Sequence, residues 1–360
     1  MIKRKLILHI GTHKTGTSSI QQALYNNRVL LNEYGYKYFI DTPDGIKRQD
    51  GNTTSWIGYD LNSMKSGYGG WVSNKTKLFS LLKGKYDRNV IISNENFSWL
   101  FSNDELISLK SDLSEIFDEI KIIVYLRRQD LAAVSHYQQA SKRVDLPSTY
   151  YYGKGVSPLP DSSSFYDYFD YYERIKSWSS AFGRSNVNVR VFEKEKLRNG
   201  DVVDDFLHIL KLDLGELGNY RTNESNGKIK TKLGHLINEN VTNNYLSKYL
   251  RSSVSNEGKF VPQKKDAIIF YSQYQESNKK LEEFLEVENI FSDNFEMYKE
   301  IDTQSWTERE ANQAISEILE ALNTISFKDI ARIYIDQFPS LSKFLVKIKL
   351  LVARVISVND

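Results

Sequence analysis

The chain has 360 residues, of which 40% are hydrophobic and 26% charged, and its net charge is +2. That length buries a large core, as one big α/β domain or one domain plus an appendage, and the near-cancelling charge makes no case for a nucleic-acid partner. The absence of cysteine excludes disulfides, thiolate metal sites and thiol nucleophiles, which suits a reducing compartment without proving one.

A basic start, Met1 to Lys5, precedes an apolar run shorter than the roughly 7–15 residues of a secretory signal. No stretch is long enough to span a bilayer, and the expectation is a cytoplasmic protein. The 23 tyrosines and 5 tryptophans suit either a sugar- or ring-binding surface or ordinary core packing.

Residues 6–10 form a short apolar run between charge and glycine, which predicts a buried strand. Beyond it, Ile20, Ala23 and Leu24 recur at helical spacing and predict a helix over 18–33. The connection is Gly11-Thr12-His13-Lys14-Thr15-Gly16-Thr17. Its glycines permit a tight turn that aims N–H groups inward, and a helix N-terminus favours anions. With Lys14 and the hydroxyls of Thr15, Thr17, Ser18 and Ser19, the stretch reads as a phosphate cradle. It is not a standard nucleotide-triphosphate loop, which places lysine directly after the second glycine. Thr17 holds that position here, and the lysine lies inside the loop at Lys14.

The alternating residues 36–40 predict a second strand. Residues 41–70 are polar and turn-rich, too long for an ordinary connection, and read as functional or mobile. A helix is expected over 71–83, then a strand over 89–93, buried on both faces and running into Asn94 and Glu95. Ligands of parallel open sheets sit beyond the carboxyl ends of strands, so Glu95 is a candidate acid or base, or else a solvated loop glutamate. An amphipathic helix over 104–117 leads to a strand over 119–126, ending at Arg127 and Arg128, with a helix from 131 that carries Ser135 and His136. The alternation predicts an α/β fold, P-loop nucleotide-binding-like, with a mainly parallel central sheet flanked by helices.

Residues 142–164 read as a loop, followed by a helix ending near 182, a strand over 186–192 and a helix over 202–210. A polar connection over 211–233 is expected to lie over the site. From about residue 233 the chain reads as largely helical, over 233–254, 270–285 and 307–324. The sequence thus divides into an α/β unit with its helical C-terminal part, residues 1–338, and a basic amphipathic helix within 339–360. That last segment carries Lys343, Lys347, Lys349 and Arg354 among large apolar residues. It reads either as a helix lying on an anionic membrane face or as a terminal helix packed on the core.

The Gly11–Ser18 loop paired with Tyr125-Leu126-Arg127-Arg128-Gln129-Asp130 and Ser135 resembles the sulfotransferases that use 3′-phosphoadenosine 5′-phosphosulfate (PAPS), in particular bacterial carbohydrate sulfotransferase-like proteins. The resemblance covers roughly residues 5–225. It implies that Gly11, Thr12, His13, Lys14, Thr15, Gly16, Thr17 and Ser18 hold the 5′-phosphosulfate, and that Arg127 and Ser135 hold the 3′-phosphate. Arginine's fork suits a phosphate, although Arg128 is not separated from Arg127 by sequence. Glu95 matches the position of the catalytic glutamate of carbohydrate-type members, with Lys14 at the leaving group and His13 and His136 as competing bases. The implied reaction is in-line sulfuryl transfer to a glycan hydroxyl, by positioning and charge stabilisation, with no metal required. The family's closing basic stretch finds only Gly227 to Lys232 here, with Lys228 and Lys230 as hypothetical contacts. The rival readings are a P-loop kinase or NTPase and a non-catalytic nucleotide- or glycan-binding protein.

Overall fold

The structure, a computed structural model, describes residues 4–40, 57–58, 69–73, 75–85, 88–142, 158–160, 167–213, 226–301 and 304–338. Its centre is a five-stranded sheet of β1 (Lys5–His9), β2 (Tyr36–Tyr38), β5 (Asn89–Ser93), β6 (Glu119–Leu126) and β7 (Val187–Val191). The strand order is β2-β5-β1-β6-β7, and every pairing is parallel. The fold is therefore α/β with a parallel central sheet, as the strand–helix alternation predicts.

The inner strands are apolar on both sides because both faces are covered. Alternate residues serve opposite layers. Leu6, Leu8, Val90, Ile92, Ile122 and Val124 join one core with α4 (Asn103–Ser114) and α6 (Tyr171–Phe182). Ile7, Ile91, Ile123 and Tyr125 join a second core with α1 (Thr17–Asn26) and α7 (Val202–Leu210). Because β1 lies between β5 and β6, the carboxyl ends of these three strands come side by side at the middle of the sheet.

Several element boundaries differ from the sequence expectation. The helix expected over 18–33 breaks at Asn27, whose side chain donates to Ala23 O (2.9 Å), giving α1 and α2 (Arg28–Glu33). Over 71–83 the chain first pairs β4 (Trp71–Val72) antiparallel with β3 (Ile57–Gly58), and only then forms α3 (Lys75–Lys85). The connection expected over 211–233 ends early, because a helix, α8 (Lys228–Asn240), starts where Lys228 N donates to Glu257 O (2.9 Å). Asn243 caps a separate α9 (Asn244–Ser253), accepting from Leu246 N (2.8 Å), so the single helix expected over 233–254 is two. Likewise 270–285 resolves into the end of α10 (Lys264–Ser272) and α11 (Gln275–Leu285). The glutamate-rich helix appears as α12 (Glu308–Asn323), closed by a Thr307/Glu310 capping box. A further helix, α13 (Phe327–Asp336), was not expected. Most of 41–70 and 142–164, the middle of 211–233 and the basic segment 341–356 lie outside the described residues.

Candidate functional site

The loop after β1 is tied into the sheet before it turns. Thr12 N and Oγ1 both reach Tyr125 O (2.9 and 3.1 Å), and Tyr125 N donates to Gly11 O (2.6 Å). Two glycines are required for steric reasons. A Cβ on Gly11 would stand 2.9 Å from Glu95 Cα, and one on Gly16 would stand 2.7 Å from Val202 Cγ1, both at positive φ (91° and 80°). Gly11 is thus what allows the Glu95 backbone to approach the loop.

Inside the turn, Thr15 Oγ1 and Thr17 Oγ1 donate to Thr12 O (2.6 and 3.4 Å). Gly16 caps α1 without a side-chain hydrogen bond, and the first turn contains no acidic residue. Among the described residues, the backbone N–H groups of residues 14–18 have no protein acceptor, whereas those of Thr12 and His13 do. Several adjacent open N–H groups at the positive end of a helix form an anion nest. Ser18 lies half-buried beside it.

Lys14 Nζ donates to Gln139 Oε1 (3.4 Å), near the end of α5 (Gln129–Ala140). Burial, with help from the positive charges of Lys142 and Arg127, pushes its pKa down to about 8, and Glu95 opposes the shift. Glu95 opens the 3-10 turn that follows β5, and its Oε2 accepts from Gln21 Nε2 (3.2 Å). Gln21 also donates to Ser93 O (3.1 Å) from within the apolar side of α1. That misplaced polarity, between Ile20 and Leu24, was the available sequence signal for its role.

The two arginines that sequence could not separate have different surroundings. Arg128 is buried, forks onto Asp130 (2.7 and 2.9 Å), donates to Ser292 O and Asn294 O (2.5 and 2.7 Å), and lies 4.1 Å from the Phe295 ring centroid. It staples the C-terminal helical part onto the end of β6. Arg127 turns towards the loop, where its Nη1 donates to Lys14 O (3.2 Å) and its guanidinium rests 5.7 Å from the Phe192 ring centroid. Its carbonyl accepts from Tyr171 Oη (2.7 Å). Among the described residues Arg127 makes no ion pair, and burial lowers its pKa. Ser135 stands half-buried in the second turn of α5, and its hydroxyl makes no hydrogen bond among the described residues.

His13 and His136 are neutral. Burial pushes His13 and His136 down to about 3, with the charge of Lys14 contributing to both. His13 Nε2–H donates to Asn96 Oδ1 (3.3 Å), which leaves Nδ1 to accept from Tyr168 Oη (2.8 Å). Tyr168 lies 155 positions away and carried no sequence signal for this contact. Lys228 is committed elsewhere: its Nζ pairs with Glu310 Oε2 (2.8 Å) and donates to Ser305 O (2.9 Å). Lys230 is half-exposed, and its charge acts on Lys142. Among the described residues no three His, Asp or Glu side chains cluster as a metal site.

No protein-family model matches the chain. An uncharacterized protein of Archaeoglobus fulgidus is 30% identical over 229 residues, which is 59% of this chain and 59% of that protein. The chain thus spans about three-fifths of the length of this relative. Among solved structures, a sulfotransferase from Alicyclobacillus acidocaldarius is similar at 18% identity and a TM-score of 0.36, over 62% of this chain and 87% of that one. Likeness at this level leaves the functional reading to rest on the site itself.

Proposed function

We propose that the chain transfers a sulfuryl group from PAPS to a hydroxyl of a carbohydrate acceptor. The observation that carries this reading is the pairing of two separate anion-holding features. One is the open N–H nest over residues 14–18; the other is Arg127, in contact with the loop through Lys14 O and without an ion pair among the described residues. A donor with phosphates at both its 5′ and 3′ positions calls for two such places. The residues fit it: no acidic side chain opposes an anion in the first turn of α1, and Arg128, which would otherwise compete for the role, is fully used by Asp130 and two carbonyls.

PAPS supplies the sulfuryl group and departs as adenosine 3′,5′-bisphosphate. The nest and the Ser18 hydroxyl would hold the 5′ side, the Thr15 and Thr17 hydroxyls being spent on Thr12 O, which shapes the turn, and Arg127 with Ser135 would hold the 3′-phosphate. Lys14 would stabilise negative charge growing on the bridging oxygen, an electrostatic contribution that burial strengthens. Glu95, steadied by Gln21 and packed against Gly11, would take the proton from the acceptor hydroxyl. His13 is a poorer base because both ring nitrogens are engaged. The carbohydrate acceptor rests on the resemblance at Glu95.

Thermal-shift titration tests the reading. Adenosine 3′,5′-bisphosphate at a hundred times its Kd is expected to stabilise the protein by about 2.7 kcal/mol without magnesium, and ATP with magnesium by far less. The reverse ranking would point to the NTPase alternative and end the proposal.

A further inference from the structure

One buried arginine takes no part in the chemistry above, yet it packs against two tyrosines that reach the site. Asp170 caps α6, accepting from Glu173 N (3.2 Å), and Arg174 stands in the first turns of that helix. Arg174 is buried, and its Nη2 donates to Tyr168 O (2.6 Å). Its Nε and Nη1 have no acceptor among the described residues. Asp170, the carboxylate whose charge reaches it, is already engaged as the helix cap and as acceptor for Ser277 Oγ (2.7 Å). What surrounds the guanidinium is aromatic. Its carbon lies 4.6 Å from the Tyr168 ring centroid, 5.4 Å from that of Phe101 and 5.8 Å from that of Tyr171.

A guanidinium with unmade hydrogen bonds is costly to bury, and ring faces offset only part of that. An apolar side chain of similar length would fill the space without the penalty, so packing alone does not account for Arg174. Its tyrosine neighbours do. The Tyr168 hydroxyl accepts from His13 N (3.1 Å) and donates to His13 Nδ1 (2.8 Å), fixing the residue just before the open N–H run of 14–18. The same hydroxyl lies 3.3 Å from Ser98 Oγ, which donates to Glu95 O (2.6 Å). The Tyr171 hydroxyl donates to Arg127 O (2.7 Å). Two rings thus reach the loop after β1, the turn after β5 and the end of β6, and the charge of Arg174 acts on His13 and on both phenols. We propose, resting on the reading of the Gly11–Ser18 loop as an anion site, that Arg174 is a positioning residue for that site. Its cation holds the rings of Tyr168 and Tyr171, and they hold His13 and Arg127 in place around the anion.

Calorimetric titration of the full chain with adenosine 3′,5′-bisphosphate and with inorganic pyrophosphate, beside urea unfolding, tests this role. Arg174→Met is expected to weaken both ligands about tenfold or more, while the urea midpoint holds or rises. Arg174→Lys, which keeps a cation over the rings, should return affinity to within about threefold of the parent. Tyr168→Phe removes the hydroxyl through which the arginine acts. Adding Arg174→Met to it should therefore weaken binding less than in the parent, a departure from additivity of at least about threefold. Unchanged affinity in Arg174→Met, additive losses, or a lysine variant as weak as the methionine one overturns the proposal. Should Arg174→Met not fold, Arg174→Gln, which can still donate to Tyr168 O, replaces it; failure of both to fold would assign the arginine to stability alone and overturn the proposal too. A parent that binds pyrophosphate but not the bisphosphate ends the PAPS reading and leaves Arg174 to be judged with pyrophosphate. A parent that binds neither ends both.

Discussion

At the scale of single residues, adjacent arginines divide two tasks. Arg128 is buried with a forked carboxylate, and removing one partner of such a pair strands the other charge. Arg128→Ala is expected to cost about 3–5 kcal/mol, seen as a lower urea midpoint. A loss under 1 kcal/mol would mean that the Asp130 pair is not the staple described. Arg127→Ala should leave the midpoint nearly unchanged while weakening adenosine 3′,5′-bisphosphate about 10–100-fold, the worth of charge-assisted hydrogen bonds to a phosphate. Equal affinity for the variant, measured by calorimetry, would remove Arg127 from the 3′ site. Glu95→Gln keeps the shape and the contact with Gln21 but cannot accept a proton. Bisphosphate binding should persist while turnover falls about 10²–10⁴-fold; retained turnover would pass the base role to another group.

At the scale of elements, the β1–loop–α1 unit was legible because its parts are local. A strand, two glycines at fixed spacing and a helix start all lie within twenty positions, and parallel-sheet logic then places Glu95 and Arg127 at the carboxyl ends of two strands, which flank β1 in the sheet. What sequence did not give was contact across distance: Arg128 with Ser292 and Asn294, or His13 with Tyr168. Helix breaks were missed where one side chain decides, as at Asn27 and Asn243, since apolar periodicity continues across both. The loop's electrostatics lead to a pH effect. Burial and neighbouring cations bring Lys14 to about 8, so its charge, present at neutral pH, is lost as pH rises through that value. Bisphosphate affinity is expected to fall over that interval, and Lys14→Arg, whose charge persists, should flatten the profile. A wild-type affinity constant from pH 7 to 9 would show that Lys14 does not face the anion.

At the scale of the whole molecule, the sheet centre that gathers the site also buries uncharged histidines. His9 sits at the end of β1 with Nδ1 2.8 Å from Ser93 Oγ, its ring edge-on to Tyr125 and Phe206, and burial pushes it down to about 3. With His13 and His136 it makes three groups that stay neutral in the folded chain but titrate near 6.5 once unfolded. Below that value the unfolded state binds more protons, so stability is complete above about pH 6.5 and drains as pH falls towards about 3. Each histidine contributes up to ~1.4 kcal/mol per pH unit in that window. His9→Phe retains an aromatic ring in that packing while removing one titrating group. It is expected to make the fall in unfolding free energy between pH 6 and 4 shallower, measured by denaturant titration at each pH. A slope equal to that of the parent would mean that His9 takes up its proton in the fold, and that the centre of the sheet is open to water where β1 meets β5.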